Sequence, residues 1–257
     1  MAGVIKGEII FKGDKLFVGE GSEIFPPVPP ELRSRTVTSS LHLPESWKDL
    51  PPWSEVDNVS DEFEWIDLRE VWQRCGDEVF ARAGTAFQYM NWLRNVRFCS
   101  CCASPLTFKT SDKGLVCTSC GKVFYAPLQP AVIVAVEREG RLLLAHNTRM
   151  PHKRYSIIAG FVEPGESLEQ TVEREIKEET GIEVKDVRYF GSQSWPFPCV
   201  LMLGFTASWK SGALHPDGVE LSDAGWFAPD EFPEIPSAIS ISRRLIDDFV
   251  KRYSPVV

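Results

Sequence analysis

Apolar residues recur with two different periods along the second half of the chain. Ala131 to Val136 and Arg141 to His146 are short apolar runs joined by Glu137-Arg-Glu-Gly140, a β-hairpin signal. Further strand-like runs cover Tyr155 to Ala159, Val187 to Ser192, Leu201 to Ala207 and Ala224 to Phe227. Between Leu168 and Thr180 the period lengthens. Leu168, Val172 and Ile176 stand four apart among strong helix formers, and Gly181 supplies a stop, so this segment reads as an amphipathic helix. Ile239 to Lys251 reads as a second helix. Strands flanking one helix and closed by another predict an α/β/α sandwich with a mixed sheet.

The first half is less regular. Lys6 to Phe25 carries short β-like runs broken by Gly13-Asp and Gly19-Glu-Gly, and Pro26 to Pro30 punctuates the chain. Leu43 to Ser60, with Pro44 and the Pro51-Pro52 pair, is expected to loop over the surface. From about Asp67 helical patterns dominate, and Ala86 to Val96, with Phe87, Met90 and Leu93 on one face, predicts a helix leading to Cys99. The fold class expected is α+β: an N-terminal α/β domain over 1–96, a cysteine-rich ribbon over 97–127 and the sandwich over 128–257.

Candidate chemistry concentrates on the first predicted helix. Glu175, Glu178 and Glu179 fall at i, i+3 and i+4 and so project from one face. Carboxylates crowded in this way call for a cation, and hard oxygen donors suit Mg2+ or Mn2+, which can bridge to phosphate oxygens. Gly160 and Gly165 are read as opening a tight loop, and Arg174 can pair with Glu166 to hold loop and helix in register.

Cys99-Ser-Cys101-Cys102 and Cys117-Thr-Ser-Cys120 form a pair of knuckles at the spacing of a structural zinc ribbon. Cys101 leaves the first knuckle ambiguous by one residue. Cys99 and Cys102 reproduce the spacing of Cys117 and Cys120, and one Zn2+ per chain is expected there. Cys75 and Cys199 lack partners at ligand spacing and read as buried thiols. In Ser192-Gln-Ser-Trp195-Pro-Phe-Pro198, two prolines around one aromatic predict a stiff, extended loop presenting Trp195 and Phe197.

Residues Gly160 to Ile182 fit the template G-x5-E-x7-R-E-U-x-E-E-x-G-U, with U aliphatic, without a miss. This is the Nudix box. Box, ribbon and aromatic segment together resemble the NADH pyrophosphatase family of Nudix hydrolases, whose bacterial members also remove NAD caps from RNA. The resemblance runs from about Phe98 to the C-terminus; Ser194 stands where the family usually has proline, and Val200 where it often has serine.

The resemblance implies metal-dependent hydrolysis of the NAD(H) pyrophosphate to nicotinamide mononucleotide and AMP, with two or three Mg2+ or Mn2+ ions. It places Glu175, Glu178, Glu179 and Glu220 at the metals; Glu178 is the preferred proton acceptor, with Glu220, or hydroxide generated by the metals alone, as the alternatives. It places Phe161, Gln193, Trp195 and Ser242 against the substrate, Trp195 reaching in from the second subunit of a homodimer. An NAD-capped RNA 5' end is a further expected partner.

Composition narrows the remaining choices. A net charge of −8 disfavours general nucleic-acid binding through a basic surface. No signal-peptide pattern opens the chain and no apolar run approaches membrane-spanning length, so no membrane partner is expected. Paired cysteines assigned to zinc point to a reducing cytoplasm. Two rival readings stand beside the main one: a Nudix hydrolase of another substrate, such as ADP-ribose or a dinucleoside polyphosphate, and a non-enzymatic Nudix-fold ligand sensor. The sensor predicts an eroded glutamate set, and this set is intact.

Overall fold

A computed structural model of the protein describes residues 8–18, 36–57, 59, 63–150 and 154–253. The Gly19-Glu-Gly break and the Pro26 to Pro30 cluster lie outside them. The chain forms two compact units, one of residues up to Pro127 together with Pro196–Cys199, the other of Leu128–Trp195 and Val200 onward.

The first unit is built on β1 (Ile9–Lys12), β2 (Lys15–Val18), β3 (Thr36–Ser39), β4 (Trp53–Val56) and β5 (Glu64–Asp67), in the order β3-β4-β1-β2-β5. The stretch expected as surface loop therefore contains a strand, β4, which pairs parallel with β1. Pro51 and Pro52 do not prevent this because they precede the strand, and the Pro52 carbonyl accepts the Ile9 N–H at 2.9 Å. Helix α1 (Leu68–Asn95) starts at Asp67, whose carboxylate accepts the Arg69 N–H, and is kinked at Gly76, φ 77°. Three short antiparallel strands, β6 (Leu106–Phe108), β7 (Gly114–Cys117) and β8 (Val123–Tyr125), form the cysteine-rich ribbon. Trp47 stacks on Trp92 of α1 at 6.1 Å, and both share a core with Leu115 of the ribbon.

The second unit carries a six-stranded mixed sheet. Strands β9 (Gln129–Arg138), β10 (Arg141–Asn147), β12 (Glu183–Trp195), β13 (Val200–Ser211) and β14 (Leu221–Phe227) run in the order β12-β13-β9-β10-β14, and β11 (Ile158–Phe161) pairs with β9. Alternation along β9 makes it a sandwich. Val132, Val134 and Val136 enter one core with Val172 and Ile176 of α2 (Leu168–Thr180), while Ile133 and Ala135 enter another with Leu245, Ile246 and Phe249 of α3 (Ile241–Tyr253). A strand buried on both faces has to read as a continuous apolar run, as Ala131 to Val136 does.

Two expectations shift here. The strand expected at Tyr155 to Ala159 begins later and extends to Phe161, because the pairs Ile158–Val134 through Phe161–Ala131 set its register; residues before it make only isolated bridges. Gly160 is thus in a strand, not a loop. The segment expected as an extended aromatic loop is divided: Ser192 to Trp195 pair with Val200 to Leu203 as the end of β12, and a turn with a cis Phe197–Pro198 bond follows. Within the first unit Phe197 stacks on Phe80 at 6.4 Å, under the Arg69 guanidinium at 3.8 Å, so its ring is packing rather than a free clamp.

Candidate functional site

Helix α2 is fixed at both ends before any ligand is considered. Ser167 and Gln170 form a reciprocal capping box, and Gly181, left-handed at φ 74°, returns its N–H to the Lys177 carbonyl. Val172 and Ile176 are fully buried, worth about 1.5–3 kcal/mol each. That burial sets the rotation of the helix and grades the three glutamates. Glu179 continues the Val172 and Ile176 stripe and is 6% exposed. The Glu175 side chain is 13% exposed and that of Glu178 60%.

Glu175 explains Gly160. A Cβ on Gly160 would lie 1.9 Å from the Glu175 Cδ, so the strand must lack a side chain where the carboxylate rests. Gly165 has φ 97° in the turn ahead of Glu166. Arg174 is the hub: its guanidinium donates to Glu166 from Nε at 2.5 Å and from an Nη at 2.9 Å, to Glu175 at 2.9 Å, to Glu178 at 3.1 Å and to the Phe161 carbonyl at 3.0 Å. The Arg174 guanidinium, with the Glu163 N–H and Thr171, holds the Glu166 carboxyl down at about 2.

Electrostatics oppose ionisation deeper in the cluster. Glu179 is pushed up to about 8, first by burial and then by the charges of Glu175, Glu220, Asp217 and Glu178. Burial also raises Glu175, against Arg174, with Glu178 and Glu220 adding to the rise. Glu220 is therefore close enough to act on both. A buried carboxylate among carboxylates needs a cation to be charged at neutral pH, and an all-oxygen donor set of Glu175, Glu178, Glu179 and Glu220 fits a hard divalent ion.

A cavity of about 320 Å³ adjoins this cluster. It opens where β10 leaves β9 after two residue pairs and β11 takes its place beside β9. Glu179, Asn147, Arg149 and Ser156 supply its polar lining, and Ile133 and Leu221 are among its apolar walls. Ser242, buried, lies one hydrogen bond behind Ser156 at 2.9 Å. Phe161 is 54% exposed. The Gln193 side-chain amide donates to the Ile239 carbonyl at 2.8 Å and accepts the Ile241 N–H at 2.7 Å, which anchors the start of α3.

A NUDIX domain model matches residues 127–249. The protein named NAD-capped RNA hydrolase NudC of Stutzerimonas stutzeri is 41% identical over 188 residues, 73% of this chain and 68% of its own length. Its namesake in Chromobacterium violaceum is 44% identical over 183 residues, 71% and 69% of the two chains. The chain belongs to this NudC family of Nudix hydrolases. A solved NUDIX hydrolase from Nitrosomonas europaea, 27% identical, matches 62% of this chain and 90% of its own with a TM-score of 0.50.

In this Nudix enzyme the ribbon makes a second, separate cluster. The Sγ atoms of Cys99, Cys102, Cys117 and Cys120 all lie within 4.8 Å of one another. Cys99 and Cys120 are 3.7 Å apart and Cys102 and Cys117 3.4 Å, near the roughly 3.8 Å edge of a tetrahedron with Zn–S bonds of about 2.3 Å. Cys101 is exposed, and its N–H instead donates to the Cys99 sulfur. The Ser104 N–H leads in drawing Cys102 down to about 6. At Cys120 the Lys122 N–H is outweighed by the thiols of Cys117 and Cys102 and by burial, so it rises to about 12. Four cysteine sulfurs gathered at these distances fit one Zn2+, with no position left open.

Sequence reasoning missed Asp217, Arg149 and Ser156. The Asp217-Gly218 dipeptide is a turn signal three residues ahead of Glu220 and could have drawn attention to Asp217. Nothing local marks the other two; the cavity they line is created by strand divergence.

Proposed function

We propose that the chain hydrolyses the pyrophosphate of NAD(H) to nicotinamide mononucleotide and AMP in a reaction dependent on Mg2+ or Mn2+, and acts on NAD-capped RNA 5' ends as a larger form of the same substrate. The observation that carries this reading is the placement of Glu179, a member of the carboxylate cluster, in the wall of the 320 Å³ cavity, so that a nucleoside-sized pocket meets the candidate metal site directly. The relatives' names, each specifying an NAD cap, support the substrate.

Two or three bound divalent cations would neutralise the diphosphate and activate the attacking water. Glu175, Glu178, Glu179 and Glu220 would hold them. The water oxygen bonds to phosphorus as the bridging P–O bond breaks, the bridging oxygen leaves with the departing mononucleotide, and Glu178, the most exposed of the three helix glutamates, takes the proton. Arg174 keeps Glu175 and Glu178 oriented through its hydrogen bonds. The adenosine half enters the cavity toward Ser156 and Ser242, and the nicotinamide ring stacks on Phe161 and on Trp195 of a second subunit in a homodimer. The ribbon Zn2+ is structural, and its thiolates suit a reducing cytoplasm. Among the described residues no helix is long and apolar enough to cross a membrane.

Product identification from NADH with Mg2+ or Mn2+ tests the reading. Reduced nicotinamide mononucleotide and AMP are expected, and intact NADH alongside cleaved ADP-ribose would overturn it. Cap release from full-length transcripts, compared with free NADH turnover, measures the RNA branch.

A further inference from the structure

Glu220 has no regular element to hold it, since it ends the irregular stretch before β14. Its main chain is nonetheless fastened from both sides. The Asp217 carboxylate accepts the N–H groups of Val219 at 3.1 Å, Glu220 at 3.1 Å and Leu221 at 2.9 Å. Thr148 donates from its N–H to the Glu220 carbonyl at 2.8 Å and from its hydroxyl to the Val219 carbonyl at 3.0 Å. The third link reaches the helix: the Asp217 N–H donates to the Glu179 carbonyl at 3.0 Å, next to the His215 N–H on the Thr180 carbonyl at 2.9 Å.

We infer that Asp217, outside the Nudix box, is a positioning residue that fixes Glu220 relative to Glu179 for divalent-cation binding. The inference rests on the reading of these glutamates as metal ligands. Asp217 is spent on backbone: Oδ1 receives all three N–H groups and Oδ2 receives that of Glu220 as well. Glu220 carries its charge close to both Glu175 and Glu179, and the Asp217 charge also reaches Glu179. Without Asp217 three N–H groups turn to water, and Glu220 keeps only the Thr148 side of its anchorage.

The test is Mn2+ titration of the zinc-replete full-length protein, followed by the electron paramagnetic resonance of free Mn2+, with NADH kcat and KM measured in parallel. Asp217→Ala is expected to weaken Mn2+ binding about 10- to 100-fold, the usual effect of losing a group that orients a ligand, and to lower kcat more than it raises KM. Asp217→Asn keeps Oδ1 and is expected to restore most of the affinity. Wild-type affinity in Asp217→Ala would overturn the proposal. So would an Asp217→Asn protein as weak as Asp217→Ala, because the carboxylate charge would then act on the cation directly. Mn2+ affinity is read without substrate, so the expected variant pattern in a protein that leaves NADH intact would support the positioning role while removing the substrate assignment.

Discussion

In the ribbon, four sulfur atoms gather within 4.8 Å from one knuckle ahead of β6 and another at the end of β7. On α2 and the stretch before β14, four carboxylates range from buried to well exposed and are held by Arg174 and Asp217 rather than by mutual closure. Backbone N–H groups point at the sulfurs in the first case, whereas a cavity opens beside the carboxylates in the second. On the proposed reading, the contrast separates a site whose ligand completes a fold from one whose ligand must meet a substrate. A closed S4 shell gains stability and gives up reactivity. An open carboxylate set carries an electrostatic cost in the metal-free protein, visible in Glu179, and keeps room for phosphate.

The sharpest way to break this comparison is at the helix. Glu178→Gln is expected to reduce kcat at least about a hundredfold with the melting temperature unchanged, since it removes an anionic oxygen and the proposed proton acceptor. Near-normal turnover would take Glu178 out of the mechanism. Glu179→Gln should behave alike, and EDTA should abolish activity until Mg2+ or Mn2+ is restored.

The ribbon should respond in the opposite sense. Elemental analysis is expected to find one zinc per chain in the wild type and none in Cys117→Ser, which should also lose about 2 kcal/mol or more of stability and about 4–8 °C in melting temperature before intrinsic chemistry changes. Cys101→Ser should keep its zinc. Loss of zinc from Cys101→Ser with retention in Cys102→Ser would reverse the knuckle assignment.

A smaller effect is expected at the aromatic end of β12. A stacking pair contributes about 0.5–1.5 kcal/mol beyond area burial, so Trp195→Ala should raise KM for NADH several-fold to about tenfold, and far less for ADP-ribose, which has no nicotinamide. Equal losses on both substrates would make Trp195 scaffold.

The smallest expected effect concerns the loop anchor. Arg174 holds Glu166 at about 2, below the roughly 4.3 of a free glutamate. A depressed carboxylate stabilises the fold above its unfolded value, and that contribution disappears as pH falls from about 4.3 through about 2. Thermal melts of Glu166→Gln and wild type should therefore differ at neutral pH and converge toward pH 2. A constant gap would show that the ion pair is not the link.

The sequence alone determined the elements whose signals are local. The extent of α2 follows from the Leu168, Val172 and Ile176 period among strong helix formers and from Gly181. The β9–β10 hairpin follows from Glu139-Gly140, both at positive φ, and the cysteine register from repeated CxxC spacing. What tertiary structure alone decided is non-local. Glu175, Glu178 and Glu179 are equivalent in sequence, and only the packing of Val172 and Ile176 against β9 makes one buried and another exposed. Gly160 is marked by the template, but its reason is a carboxylate fifteen residues away pressed on a strand. Gln193 looks like part of an aromatic loop until α3 arrives to take its amide. No local signal joins Asp217 to Glu179 or Glu220 to Thr148, because the hydrogen bonds between them connect segments some 38 and 72 residues apart. Local propensity records where a chain turns and coils; the meeting of distant segments depends on burial and hydrogen-bond satisfaction over the whole unit, and it is there that a set of carboxylates becomes a site.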